Sequence, residues 1–168
     1  MVSYSYQMLA IGSVAPDIDA ESSDGPFRLS ESAGHLCTVV YFFPKAFTPA
    51  CTRETLSFRD NYGELVLAGA ALVGVSTDNR ETQCKFAEST QTPFPIVSDP
   101  AGAVAKAYDV RWPLVGLAKR VTYVLSPARE VLAVFHHELS IDRHREDVLL
   151  FVDDLFRKRV ASKKADAT

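Results

Sequence analysis

Apolar and polar positions along the chain follow two periods, one typical of strands and one typical of helices. Cys37–Phe43 is a continuous apolar run, which predicts a central strand covered on both faces. Ala70–Thr77 predicts a second buried strand of the same kind. Between them, from Pro49 to Gly69, apolar side chains recur at helical spacing, and the proline suits the first turn of a helix. The middle of the chain therefore predicts a strand–helix–strand unit.

Shorter elements flank this unit. Two short strands are predicted before it, at Pro16–Ala20 and Phe27–Leu29, joined as a hairpin by a turn rich in Ser, Gly and Pro. The elements predicted after it are a helix at Arg80–Glu88, a strand at Phe94–Val97, a helix at Ala101–Tyr108, strands at Arg120–Ser126 and Val131–His137, and a helix at Ile141–Val160. Because helices alternate with strands and a hairpin precedes the final helix, we expect an α/β fold with the thioredoxin-like outline. Its mixed central sheet would be flanked by helices and carry an N-terminal β-hairpin. A single domain over residues 1–168 is expected, with irregular tails at 1–8 and 161–168.

Composition narrows the function classes. The net charge of −3 and the pI near 5.8 argue against a nucleic-acid partner, and the sequence has no apolar stretch long enough to predict a membrane span. The start of the chain shows no signal-peptide pattern, so a cytoplasmic location is expected. The three cysteines are then expected to be reactive or buried rather than joined in structural disulfides. No metal or cofactor is predicted, because no Cys/His spacing resembles a zinc site.

The candidate chemistry is concentrated in Pro44–Glu54. Cys51 lies where the buried strand gives way to a helix N-terminus, and unpaired N–H groups there favour a thiolate. Thr48 can place a hydroxyl beside the sulfur, where it could donate to a thiolate or accept from a bound hydroperoxide, while Pro44 stiffens the loop. Glu54, one turn after Cys51, could orient an arginine, or it could only stabilise the helix dipole. The stretch indicates a reactive thiol in a shaped pocket.

These residues also carry a family resemblance. Tyr41-Phe-Phe-Pro-Lys-Ala-Phe-Thr-Pro-Ala-Cys-Thr-Arg-Glu54 resembles the active-site signature of peroxiredoxins, in particular the bacterioferritin-comigratory or peroxiredoxin Q group. Further segments match that group in the same order: Phe58-Arg-Asp60, Gly74-Val-Ser-Thr-Asp78, Lys85-Phe-Ala-Glu88, Phe94-Pro-Ile-Val-Ser-Asp99 and Lys119-Arg-Val-Thr-Tyr-Val-Leu125. The resemblance covers nearly the whole domain.

The resemblance implies a thiol-dependent peroxidase that reduces hydrogen peroxide and organic hydroperoxides. In this family a proline, a threonine, the peroxidatic cysteine and a distant arginine build the pocket, which maps those roles onto Pro44, Thr48, Cys51 and Arg120. Cys51 would become a sulfenic acid, a second thiol would condense with it, and thioredoxin or a similar dithiol would reduce the disulfide. A monomer is expected, with a dimer as the alternative.

The resolving thiol is a point of departure from the group. Many members carry it five residues after the peroxidatic cysteine, where this chain has Leu56. Cys84 is the candidate instead, since some members place the resolving thiol in that region. The first turn of the Cys51 helix would then have to unwind, because a disulfide tolerates only short Cα separations. The alternative is a structural Cys84, which would make the protein a one-cysteine peroxidase or a redox-sensing binding protein. Cys37 is expected to be an inert core residue.

A second departure lies before the arginine strand. Residues 109–119 are apolar and shorter than the polar segment usual in the group. Trp112 and its apolar neighbours are compatible with a core plug, a rim of the pocket or a surface for a partner. The sequence does not choose between these three.

Overall fold

The computed structural model describes residues 8–137 and 140–168. The strands run from Asp19 to Ser22 (β1), Gly25 to Arg28 (β2), Cys37 to Phe42 (β3), Ala70 to Ser76 (β4), Ile96 to Ser98 (β5), Val121 to Leu125 (β6) and Val131 to His136 (β7). The helices run from Pro49 to Asp60 (α1), Tyr62 to Leu67 (α2), Arg80 to Thr90 (α3), Ala103 to Ala107 (α4) and Ile141 to Asp166 (α5), with a 3-10 turn at Leu29–Ser32.

The strands form one mixed sheet in the order β2-β1-β5-β4-β3-β6-β7. β3 pairs in parallel with β4 and antiparallel with β6, and β1 and β2 form the N-terminal hairpin. This arrangement confirms the predicted fold class. The sheet also brings the start of β6 beside the end of β3, since Phe42 is opposite Val121. The residue before β6 therefore lies near the loop that leaves β3.

β3 divides the core into two layers. Its odd-numbered side chains, such as Val39 and Tyr41, pack with α1, α2, α3 and α5, whereas Val40 and Phe42 pack with α4 and the N-terminal hairpin region. Side chains alternate between the faces of a strand, so a wholly apolar strand supplies both layers at once. The alternation explains why β3 has no polar face and why α1 can lie against it.

Tyr41 requires a glycine on the neighbouring strand. A Cβ atom added to Gly74 would lie 2.7 Å from the Cζ atom of Tyr41, which is too close for a buried ring. The tyrosine hydroxyl instead hydrogen-bonds Thr55 Oγ1 at 3.1 Å. Strand β3 is thereby joined to the middle of helix α1.

Several predicted boundaries were wrong, and three of the differences are the largest. The helix predicted to reach Gly69 is broken at Asn61, whose backbone leaves the helical region and whose side-chain amide donates to the Ser57 carbonyl. The first strand begins at Asp19 rather than Pro16. The tail predicted to be irregular from residue 161 is helical as far as Asp166, because alanine and lysine are strong helix formers and the lysines of the last turn favour the helix dipole. The tail predicted at 1–8 falls almost entirely outside the described residues.

The apolar segment before β6 is a tight loop. Backbone bonds join Trp112 to Leu117 and to Gly116, and Lys119 Nζ lies 5.3 Å from the centre of the Trp112 ring. Leu114 is 98% exposed and Val115 is also exposed, so these two side chains are not a core plug. Within the part of the chain that the structure describes, no helix combines the length and the apolar character that crossing a membrane requires.

Candidate active site

Cys51 occupies the first turn of helix α1. Thr48 occupies the N-cap position with extended backbone angles, and Pro49 starts the first turn. The cysteine side chain is almost fully buried. Three backbone N–H groups of such a turn have no partner within the helix, and together with the dipole they favour negative charge on a nearby atom. The structure thus confirms that Cys51 lies at a helix N-terminus.

The guanidinium of Arg120 lies between Cys51 and Glu54. Its Nη2 atom is 3.5 Å from Cys51 Sγ, and its Nη1 atom donates to Glu54 Oε2. The arginine and glutamate side chains are only 5% and 2% exposed. Burial alone would lower the pKa of Arg120, but the negative charges of Glu54 and Cys51 raise it above its ordinary value. The guanidinium is thus a fixed cation whose two ends contact different acidic groups.

Two roles were predicted for Glu54: orienting an arginine, or only stabilising the helix dipole. The structure contains the contact with Arg120 that the orienting role requires. The glutamate bonds the arginine and lies beyond the first turn of α1, where a carboxylate gains little from the helix dipole. A fork of N–H donors suits this bridging position, because it can present two groups in fixed directions. Glu54 and Cys51 therefore contact the same guanidinium through different nitrogen atoms.

The Thr48 hydroxyl does not make the predicted contact with the sulfur in this structure. It donates to the carbonyl oxygen of Lys45 at 2.8 Å, and no bond to the sulfur is formed among the described residues. Its proton is used within the loop, so the oxygen faces its surroundings as an acceptor. Pro44 is half-buried directly after β3, at the start of the same loop.

The loop between β3 and α1 is held in a strained conformation. Phe47 has a φ of 67°, which non-glycine residues rarely adopt. Three contacts hold it in this conformation. The Ala46 N–H donates to Asp78 Oδ2 at 2.8 Å, and the Thr48 hydroxyl donates to the Lys45 carbonyl. The Phe47 ring packs on the Phe86 ring, with the ring centres 5.3 Å apart. The loop geometry near Cys51 therefore depends on the segment after β4 and on α3 as well as on its own sequence.

Asp78 is one of two site residues that the sequence interpretation missed. An aspartate just before a helix is typical of a helix cap, but Asn79 caps α3 and Asp78 reaches back to the loop. Asp78 Oδ2 also accepts from Ser76 Oγ, and Ser76 Oγ accepts from the amide of the buried Gln83. The partner residue Ala46 gives no sequence signal, because the loop contributes only its backbone.

His144 is the other missed residue. It is fully buried in the first turns of α5, with Nε2 2.5 Å from Thr122 Oγ1 and 3.9 Å from Glu54 Oε1. Burial first, then the neighbouring His137 and Arg120, lower its pKa from the usual value to about 4. In the sequence it is a single polar residue on an otherwise apolar helix face, which carries no chemical signal by itself.

The other two cysteines have different surroundings. All three thiols are free. Cys84 is half-buried on α3, with Sγ 3.9 Å from the carbonyl oxygen of Ser23 in the β1–β2 turn. Cys37 is buried on β3, and burial raises its pKa to about 11. A thiol held neutral in this way is a poor nucleophile.

The chain is similar to known proteins in both sequence and structure. Residues 11–134 match the model of the AhpC/TSA family. Peroxiredoxin Q of the Sedum lineare chloroplast is 35% identical over 86% of this chain and 78% of its own length. The structure of peroxidoxin BcpB from Mycobacterium tuberculosis matches with a TM-score of 0.81 and 36% identity over 87% of this chain and 97% of that one. A structure of the Xanthomonas campestris bacterioferritin comigratory protein, described for its alkyl peroxide reduction activity, matches with a TM-score of 0.75 and 31% identity over 83% and 92%.

We predict that Glu54→Gln lowers the free energy of unfolding by about 3 kcal/mol, since it leaves Arg120 as a buried charge without its carboxylate. Asp142→Asn is the matched control, because Asp142 of α5 forms an exposed ion pair with Arg53 of α1. The two groups are 2.9 Å apart, and the side chains of Asp142 and Arg53 are 59% and 64% exposed. That change should lower it by less than about 1 kcal/mol. Urea denaturation measures both, and equal effects would contradict the buried pair's importance.

Stability should also fall in acid because of His144. Its folded pKa of about 4 lies below the unfolded value of 6.5, so between these values the unfolded chain binds more protons. Stability is therefore lost as the pH falls through this window, by about 2 kcal/mol between about pH 7 and about pH 4.5. His144→Gln cannot titrate, so its urea-denaturation free energies should depend less on pH by that amount. Parallel pH profiles for the two proteins would refute this assignment.

Proposed function

Because the chain belongs to the AhpC/TSA family and is a thiol peroxidase of the peroxiredoxin Q type, we propose that Cys51 is the thiol that attacks the peroxide. One observation carries the proposal: Arg120 Nη2 lies 3.5 Å from Cys51 Sγ at the N-terminus of α1. Cys37 lacks such a cationic neighbour in its described surroundings and has a raised pKa. Cys84 faces a carbonyl oxygen, which disfavours a thiolate.

The reaction follows from the charges at this site. The Cys51 thiolate attacks the terminal oxygen of the hydroperoxide, an S–O bond forms, and the O–O bond breaks. The sulfur is oxidised by two electrons to a sulfenic acid, and the departing oxygen takes a proton to become water or an alcohol. Negative charge moves from sulfur to the departing oxygen, so a fixed guanidinium beside the sulfur stabilises that change without moving.

Thr48 and Pro44 shape the place where the peroxide binds. The Thr48 hydroxyl donates its hydrogen bond to the Lys45 carbonyl, so its oxygen is available as an acceptor. We propose that it accepts a hydrogen bond from the hydroxyl of the hydroperoxide. Pro44 contributes no N–H group that could compete for the substrate oxygens. The strained Phe47 turn holds both residues in position ahead of Cys51. We propose hydrogen peroxide and organic hydroperoxides as substrates, and the alkyl peroxide activity described for the Xanthomonas relative supports the second class.

Cys84 is proposed as the resolving thiol. Its thiolate would attack the sulfur of the Cys51 sulfenic acid, forming a disulfide and releasing water. Both thiols are free, with Cys51 buried at the start of α1 and Cys84 half-buried on α3, so we propose that the first turn of α1 unwinds to reach the short separation that a disulfide needs. The end of α1 would stay in place, because Arg59 donates to the Thr90 carbonyl of α3 at 2.8 Å. The second candidate is a one-cysteine peroxidase, which the packing of Cys84 against Ser23 favours.

A dithiol protein completes the proposed cycle. Peroxiredoxins are reduced by thioredoxin-like partners, and we propose thioredoxin or a similar dithiol in the cytoplasm for this chain, where its three free thiols would stay reduced. A monomer is proposed, with the exposed Leu114 and Val115 as the surface on which a dimer would form. Sedimentation that depends on protein concentration would contradict the monomer.

We predict that thiol variants separate these roles. In a peroxide assay coupled to a thioredoxin system, the wild type turns over continuously, whereas Cys51→Ser shows no consumption above background. Cys84→Ser reacts once and stalls, because its sulfenic acid has no partner thiol. Cys37→Ala is the matched control, since it removes a buried thiol of raised pKa, and it retains turnover.

Peptide mapping under non-reducing conditions gives the direct product. Peroxide-treated wild type should contain a cross-link between the Cys51 and Cys84 peptides. Turnover by Cys51→Ser would refute the assignment of the nucleophile. A hyperoxidised Cys51 beside a free Cys84, together with full turnover by Cys84→Ser, would support the one-cysteine candidate instead.

A further inference from the structure

A buried histidine lies close to the Glu54 carboxylate of the Arg120–Glu54 pair. His144 on α5 is 0% exposed and lies one and two turns before Val148 and Val152 on the same buried face. Its Nε2 atom is 2.5 Å from Thr122 Oγ1 and 3.9 Å from Glu54 Oε1. Thr122 follows Arg120 by two residues, so the guanidinium comes from the residue before β6 and the hydroxyl that holds the imidazole comes from the start of β6. None of the chemical steps proposed above uses this histidine.

The imidazole is neutral near neutral pH, because its pKa is lowered to about 4. Burial lowers the pKa of His144 to about 4, and His137, His136 and Arg120 act in the same direction, while Asp147 of its own helix acts against them. The Glu54 carboxylate of α1 also lies near the ring, with Oε1 3.9 Å from Nε2. A neutral ring does not repel the guanidinium and does not compete with it as a second cation for the carboxylate.

The hydrogen-bond partners indicate which nitrogen carries the proton. Nδ1 is buried and accepts or donates no hydrogen bond within residues 8–137 and 140–168. Nε2 has the Thr122 oxygen at 2.5 Å, so a proton there has an acceptor, and a buried N–H without one is rare. The positive end of the Nε2–H dipole then also lies toward Glu54 Oε1. The distance of 3.9 Å makes this an electrostatic contact and not a hydrogen bond.

From this geometry we propose that His144 is a positioning residue for the peroxidase reaction: held by Thr122, its neutral imidazole fixes the second oxygen of Glu54, so that the first oxygen keeps Arg120 directed at Cys51. The proposal rests on the function proposed for Cys51 and Arg120. It adds helix α5 to the elements that control the reactivity of the thiol.

The test compares two replacements of the histidine. His144→Phe keeps a ring of similar volume but removes Nε2–H, whereas His144→Gln keeps a neutral N–H donor. We expect His144→Phe to slow the single-turnover reaction of Cys51 with hydrogen peroxide about tenfold, and to move the pH midpoint of thiolate absorbance upward by about one unit. The absorbance is read as the difference from the same protein carrying Cys51→Ser. His144→Gln should stay within about twofold of the wild-type rate.

A purely structural role would give another result. Val148→Ala, one turn along the same buried face, is the matched control and should lower the melting temperature while leaving the rate and the thiolate midpoint unchanged. If His144→Phe folds cooperatively and keeps both wild-type values, the proposal is overturned.

Thr122→Val replaces His144→Phe if the latter does not fold. It removes the hydroxyl that holds Nε2 and should shift the rate and the midpoint in the same direction, so wild-type values in this variant would equally overturn the proposal. Failure of the underlying function is separate, because it would show as a wild-type Cys51 that does not react with peroxide.

Discussion

The rest of the site depends on one interaction, the contact of the Arg120 guanidinium with both Glu54 and Cys51. A buried cation beside a thiol favours the thiolate, but a buried cation without a fixed counter-charge is strongly destabilising. Glu54 supplies that counter-charge from the same helix as the cysteine. One guanidinium can then balance a permanent carboxylate and remain available to a sulfur whose charge changes during the reaction.

The sheet brings these partners together. β3 delivers the loop that leads to Cys51, and its antiparallel pairing with β6 places Arg120 at the adjacent strand end. The segment after β4 contributes Asp78 and helix α3 contributes Phe86, and these two residues hold the loop in its strained turn. The apolar side chains of β3 fill both layers of the core, so the sheet provides a rigid base for a site in which small displacements would change the reaction.

The sequence predicted the backbone of the site better than its contacts. The apolar run of β3 and the proline at the start of α1 are local signals, and they were enough to place Cys51 at a helix N-terminus. Arg120 is 69 positions from Cys51 and came from a family resemblance, since no periodicity connects the two. Asp78 reaches a backbone N–H 32 positions away, and His144 is one polar residue on an apolar face, so neither contact has a sequence signature. The direction of the Thr48 hydroxyl depends on a carbonyl that only the folded loop presents.

The geometry of the guanidinium is the central claim, and Arg120→Lys tests it most directly. Lysine keeps the positive charge, but a single ammonium cannot present two fixed donor groups to Glu54 and Cys51 at the same time. Stopped-flow measurement of the reaction between Cys51 and hydrogen peroxide, with circular dichroism to verify folding, compares the two proteins. We predict that the second-order rate constant falls by about tenfold or more in Arg120→Lys. A wild-type rate constant in a folded Arg120→Lys protein would contradict the account, because charge alone would then be sufficient.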